Sequence, residues 1–144
     1  HQRWMNNKKF DGGQSTAEEK ELRDFYKRLL NFTINSPALM GEYRDLHSFN
    51  RENGANYSDK ILSYARWSDK ERLIIISNFD AEEVQEFELT IPVDLIKTFD
   101  LKDGSYILKD QLFNEYSTQL MVDQGTGKMQ VKLESLQSFI LKLN

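Results

Sequence analysis

Residues 61–79, ILSYARWSDKERLIIISNF, contain two runs rich in β-branched, aliphatic and aromatic side chains, residues 61–67 and 73–79. The polar residues between them, Ser68-Asp69-Lys70-Glu71, are of hairpin length, so the segment reads as two antiparallel strands joined by a short connection. The period of two continues downstream. Phe87, Leu89 and Ile91 alternate with Glu86, Glu88 and Thr90, which gives one buried and one wet face. Pro92 ends that strand, and residues 93–99 read as a single helical turn. Asp103-Gly104 is a turn signal before a strand over 105–109 that continues toward Phe113. Leu120 and Val122 precede a turn over 123–127, beyond which Met129, Val131 and Leu133 alternate, as do Phe139, Leu141 and Leu143. Upstream, residues 46–50 read as a short strand and 51–59 as a loop. The expected fold is mainly β: an antiparallel Greek-key β-sandwich of about seven or eight strands.

One long N-terminal α-helix precedes it. Residues 1–14 are polar, contain Gly12-Gly13 and read as loop. Ser15 with Glu18 and Thr16 with Glu19 then form overlapping capping boxes. Glu18, Glu19 and Glu21 place negative charge at the positive end of the helix dipole. Ser36 is pushed out of helical angles by Pro37. At about 100° per residue, Leu22, Phe25, Tyr26, Leu29, Leu30, Phe32 and Ile34 cover an arc of roughly 200°. Lys20, Asp24, Lys27, Arg28 and Asn31 form the polar side. A helix lying on one surface needs an apolar stripe of only about 100°. This one is patterned to touch two bodies, with Leu22, Phe25, Leu29, Leu30 and Phe32 as interface candidates. A division into residues 1–36 and 37–144 follows.

The composition excludes several classes. The 144 residues carry 19 Lys and Arg against 23 Asp and Glu, interleaved along the whole chain with no basic stripe, so nucleic acid and anionic membrane are not expected partners. The longest apolar run, residues 73–76, is strand-sized. With no Cys there is neither a disulfide framework nor a thiolate ligand. No cofactor and no metal site are expected.

Motifs that glance at chemistry have simpler readings. DQGTGK, residues 123–128, lacks the first Gly of a phosphate loop and has Met129 where Ser or Thr would hold magnesium; it reads as a hairpin turn. His47 has no ligand partner at useful spacing. No pair among the acids is marked as desolvated, and Asp80, Glu82 and Glu83 read as a turn cluster. Asn31-Phe32-Thr33 and Asn56-Tyr57-Ser58 match glycosylation sequons by chance. Aromatics are the informative class, because Trp and Tyr faces stack on the apolar side of sugar rings. Trp4, Tyr57 and Trp67 are therefore carbohydrate-contact candidates, with core filling as the plainer role for Trp67.

Phe25-Tyr26-Lys27-Arg28-Leu29-Leu30, Pro37-Ala38-Leu39, Gly41-Glu42-Tyr43, Arg66 and Ser77-Asn78-Phe79-Asp80 together resemble the end of an α-amylase family glycoside hydrolase. The match extends over residues 16–90 and beyond that by strand count. In that family the last helix of a catalytic (β/α)8 barrel runs into a C-terminal antiparallel β-domain. The resemblance implies that residues 1–36 correspond to a loop and the last barrel helix, and that residues 37–144 form the C-terminal β-sandwich. It implies that Leu22, Phe25, Leu29, Leu30 and Phe32 face the barrel, which is the expected partner. It assigns no catalytic residue to this chain, since the family's catalytic carboxylates lie on earlier barrel strands. The parent enzyme would hydrolyse or transfer α-glucosidic bonds in starch or maltodextrins. The compartment stays open, with the periplasm or the exterior fitting a bacterial starch-degrading parent. With the barrel absent, a homodimer through the exposed helix face is a further expected partner. Two other readings are a β-sandwich module that binds α-glucan, and a free-standing interaction domain.

Overall fold

The computed structural model describes the backbone at Met5–Asn6 and Lys9–Phe10, and backbone with side chains at Ala17, Lys20, Asp24, Lys27, residues 35–113 and residues 115–144. The chain divides into two compact units, His1–Asn35 and Ser36–Asn144. In the first, β1 (Met5–Asn6) and β2 (Lys9–Phe10) pair antiparallel, so an opening read as loop contains a minimal ladder. Ala17, Lys20, Asp24, Lys27 and Asn35 have helical backbone and exposed side chains. Lys20, Asp24 and Lys27 are positions the pattern assigns to the polar side of the helix. Its apolar positions Leu22, Phe25, Leu29, Leu30 and Phe32, like Trp4, lie outside the described residues.

The second unit opens with a 3-10 turn over Pro37–Met40, entered through Ser36 in extended angles as a residue before proline requires. Its strands are β3 (Glu42–Asp45), β4 (Ile61–Trp67), β5 (Arg72–Asn78), β6 (Gln85–Ile91), β7 (Gly104–Asp110), β8 (Ser117–Asp123), β9 (Thr126–Leu133) and β10 (Ser138–Leu143). Two short helices interrupt them: α1 (His47–Asn53) after β3 and α2 (Val93–Thr98) after β6. All eight strands belong to one sheet in the order β3-β4-β5-β10-β7-β8-β9-β6, and every pairing is antiparallel. The chain leaves β5 for the far edge at β6. It later returns from β9 to insert β10 between β5 and β7. The expected sandwich is therefore a single sheet curled around one core. Ile61, Ala65, Ile74, Ile76, Phe87, Leu89, Ile91, Leu120, Met129, Val131, Phe139 and Leu141 meet there, with Leu95, Ile96 and Phe99 from the α2 segment.

Local chemistry explains the turns. In the β4–β5 hairpin, Ser68 N–H donates to the Glu71 carbonyl at 2.9 Å. Between β8 and β9, Gln124 and Gly125 have φ of +51° and +81°, the left-handed pair that a two-residue turn needs to match strand twist. Their N–H groups donate to the Asp103 carboxylate at 3.0 and 3.2 Å. Two backbone donors of DQGTGK are thus taken by this chain's own acid.

Residues 46–50 are not a strand. His47–Asn53 is helical because Asp45 accepts from the His47 and Ser48 N–H groups at 3.0 and 3.2 Å, satisfying donors that a first helical turn leaves free. From α1, the fully buried Asn50 reaches the edge strand β6. Its Nδ2 donates to the Leu46 and Thr90 carbonyls at 2.9 and 3.0 Å, and its Oδ1 accepts the Thr90 N–H at 2.8 Å. Glu88 N–H donates to the Ala55 carbonyl at 3.2 Å. Outward peptide groups of an edge strand invite pairing by another chain. Here the 46–57 segment occupies them at Glu88 and Thr90. Asn50→Ala leaves the Thr90 N–H and carbonyl buried and unpaired, so it is expected to lower unfolding free energy by about 2–4 kcal/mol in urea titrations; a loss below about 0.5 kcal/mol would contradict this role.

Candidate functional site: a second apolar face on the sheet

Strand β5 is buried on both faces. Ile74 and Ile76 enter the core, while Leu73 and Ile75 point the other way and are still only 0% and 6% exposed. Pairing extends this outer face in two rows. Tyr64, Ile75 and Ile140 lie side by side across β4, β5 and β10, and so do Tyr43, Arg66, Leu73 and Lys142 from β3 to β10. Ile140 is 1% exposed. An antiparallel sheet with a solvated back alternates apolar and polar residues, whereas a continuous apolar run marks a strand covered on both sides. Residues 73–76 are such a run.

A clamp of long-range contacts borders this face. The Arg66 Nη2 donates to the Leu39 carbonyl at 2.7 Å and the Gly41 carbonyl at 3.3 Å, and its guanidinium lies 5.7 Å from the Tyr43 ring centre, within cation–π range. Tyr43, 54% exposed, sits with its ring 5.5 Å from that of Tyr64. Glu71 accepts from the Ser36 hydroxyl, from the Ala38 N–H at 3.2 Å, and pairs with Lys142 at 3.5 Å. A Cβ on Gly41 would stand 2.0 Å from the Trp67 carbonyl oxygen, so only glycine lets the turn approach β4 this closely. Pro37-Ala38-Leu39, Gly41, Tyr43 and Arg66 are scattered in sequence and converge at one place.

Asn78 and Asp80 form a separate latch. The buried Asn78 donates through Nδ2 to the Glu83 and Glu134 carbonyls at 2.9 and 3.0 Å, and its Oδ1 accepts the Asp80 N–H. Asp80 accepts from the Glu82 and Glu83 N–H groups at 2.9 and 3.0 Å. Those bonds, with Lys60 3.7 Å away, hold its carboxyl below the usual carboxylate value. Phe79 between them is exposed.

The aromatic candidates have internal partners. Half-buried Trp67 meets Phe99 edge to face, ring centres 5.6 Å apart. Half-buried Tyr57 packs edge-on against Phe87 at 5.4 Å. Its hydroxyl shares a 2.9 Å hydrogen bond with Ser63 and lies 3.1 Å from His47 Nδ1. Burial pushes the Tyr57 hydroxyl up to about 12, against the Ser63 bond and with help from the Asp45 charge. Burial also raises Tyr64. For Asp45, burial works against the charge, yet hydrogen bonds from Ser48 and His47 hold the carboxyl below its ordinary value. Among the described residues no group of His, Cys, Asp or Glu could hold a metal ion, and no described helix is long and apolar enough to cross a membrane. Tyr64, Glu71 and Ile140 were not singled out by sequence; the unbroken run at 73–76 was the signal that could have found their face.

No protein-family model matches the chain, and no curated protein matches it in sequence. Solved structures match its fold. A noncanonic maltogenic α-amylase, AmyB, from Thermotoga neapolitana superposes with TM-score 0.62 at 13% identity, over 94% of this chain and 28% of that one. The α-amylase of Geobacillus thermoleovorans, solved with acarbose, gives 0.59 at 17% identity over 94% and 25%. An Anoxybacillus α-amylase gives 0.57 at 20% identity over 95% and 25%. The chain thus has the fold of one part of α-amylase family structures and spans about a quarter of their length.

The raised Tyr57 value has a testable sign. Unfolded tyrosine loses its proton near pH 10, while folded Tyr57 keeps it to about pH 12. Its contribution to stability is present below pH 10 and lost as pH rises through about 12. Tyr57→Phe should flatten that part of the alkaline decline in urea midpoints, leaving the share from Tyr64. Parallel curves for the two proteins would contradict the burial described.

Proposed function

We propose that this chain is the non-catalytic C-terminal domain of an α-amylase-type enzyme, and that it packs against and stabilises that enzyme's catalytic barrel. The parent would hydrolyse or transfer α-glucosidic bonds in starch or maltodextrins by the retaining route, with one carboxylic acid and one nucleophilic carboxylate about 5 Å apart. No catalytic role falls to any residue here. The observation that carries the reading is the fold, which matches over 94–95% of this chain but only about a quarter of several α-amylase structures. Leu73, Ile75 and Ile140 are already buried within this chain, so they are not the surface offered to the barrel. From sequence pattern alone, Leu22, Phe25, Leu29, Leu30 and Phe32 are assigned to the barrel-facing side, and residues 1–36 to the barrel's last helix and the loop before it.

Two measurements on the isolated chain test this. It should release no reducing sugar from amylose, and calorimetry with millimolar maltoheptaose should show no heat. Turnover at ordinary enzyme rates would overturn the non-catalytic assignment. Saturable heat that disappears in Tyr57→Ala or Trp67→Ala, or in Trp4→Ala, would move the reading to a glucan-binding module.

A further inference from the structure

The sequence contains one Asn-Gly pair, Asn53-Gly54, at the end of α1. The glycine is required by close approach: a Cβ there would stand 2.8 Å from the Asn50 carbonyl oxygen and 3.0 Å from its Oδ1. The side chain of Asn53 is exposed. Asn-Gly is chemically the most reactive asparagine dipeptide, because no side chain shields the following backbone nitrogen. We propose that Asn53 is a site of spontaneous covalent modification whose rate is set by the closure of α1 onto β6.

In the reaction the Gly54 backbone nitrogen gives its proton to hydroxide and attacks Cγ of Asn53. A carbon–nitrogen bond closes a five-membered imide, and the side-chain nitrogen leaves as ammonia, taking a proton from water. Water then opens the imide at either carbonyl, leaving aspartate or isoaspartate. The net change is amide plus water to acid plus ammonia, with no redox partner.

Both nitrogens in that reaction are held in the folded chain. The leaving nitrogen, Asn53 Nδ2, donates to the Phe49 carbonyl at 2.9 Å. The attacking nitrogen, on Gly54, donates to the Asn50 carbonyl at 2.8 Å. Asn50 is itself fixed by its bonds to Leu46 and Thr90. Imide closure therefore needs Asn53 to leave helical angles and Gly54 to release Asn50, a local opening of the last turn. The product places a negative charge at the carbonyl end of α1, where the dipole already disfavours one. Isoaspartate also lengthens the backbone just before Ala55, whose carbonyl accepts from Glu88.

The test incubates the full chain at mildly alkaline pH, folded and in urea, and follows the tryptic peptide 52–60 by mass spectrometry with fragmentation to separate Asn53 from Asn56. The expected result is modification at Asn53 first, with the folded rate slower than the urea rate by roughly tenfold or more, as for a site that reacts only through opening. Asn50→Ala should raise the folded rate toward the urea rate, and Asn53→Gln should abolish the product. Equal rates in folded and unfolded chain, no rate increase in folded Asn50→Ala, or earlier reaction at Asn56 would overturn the proposal. If Asn50→Ala does not fold, the comparison of wild type with and without urea decides alone.

Discussion

The β-unit depends on one buried amide. A single curled sheet has two edges, and the longer of them, β6, would present its outward peptide groups to any passing strand. Asn50 binds both polar groups of Thr90 from the side, as a neighbouring strand would, and Ala55 takes the N–H of Glu88. The same 46–57 segment is tied to β4 through Leu46 N–H on the Ser63 carbonyl and through Tyr57 on Ser63. One connection thus joins strands near opposite ends of the sheet order. Fully satisfied buried polar groups of this kind fix a single arrangement; half-satisfied ones would be costly.

The outer face of the sheet is apolar as well. Leu73, Ile75 and Ile140 stand outside the inner core cluster and are nevertheless buried within this chain. The Arg66 and Glu71 contacts to the 36–41 turn give that face a rigid border. Arg66, Pro37-Ala38-Leu39 and Gly41 are among the positions that carry the resemblance to the α-amylase family, and the geometry supplies physical reasons for two of them. Gly41 is small because a carbonyl occupies the space a side chain would need. Arg66 is a guanidinium because two carbonyls and a ring converge on it.

The strands were legible because burial imposes a period of two, and Phe87, Leu89, Ile91, Met129, Val131 and Leu133 obey it. The 124–125 turn was legible from the residues around its single left-handed glycine. The helix over 47–53 was not, because its decisive feature is Asp45 capping from outside it, and its short length leaves little period to read. Thr90, read as wet, is buried because Asn50 comes from forty residues away to cover it. The outer face stayed hidden for a related reason: Ile140 and Tyr64 look like ordinary alternating positions until β10 is inserted beside β5, a pairing set by topology and not by local sequence. Trp67 drew attention for its ring, but its ring lies against Phe99.

The central proposal is that this chain is one domain of an α-amylase-type enzyme and is stabilised by the catalytic domain it is joined to. The direct measurement is the urea unfolding of residues 36–144, followed alone and within the whole enzyme. The account predicts a higher midpoint in the joined enzyme, because a partner that binds only the folded unit shifts its equilibrium. Equal midpoints in both settings would contradict it.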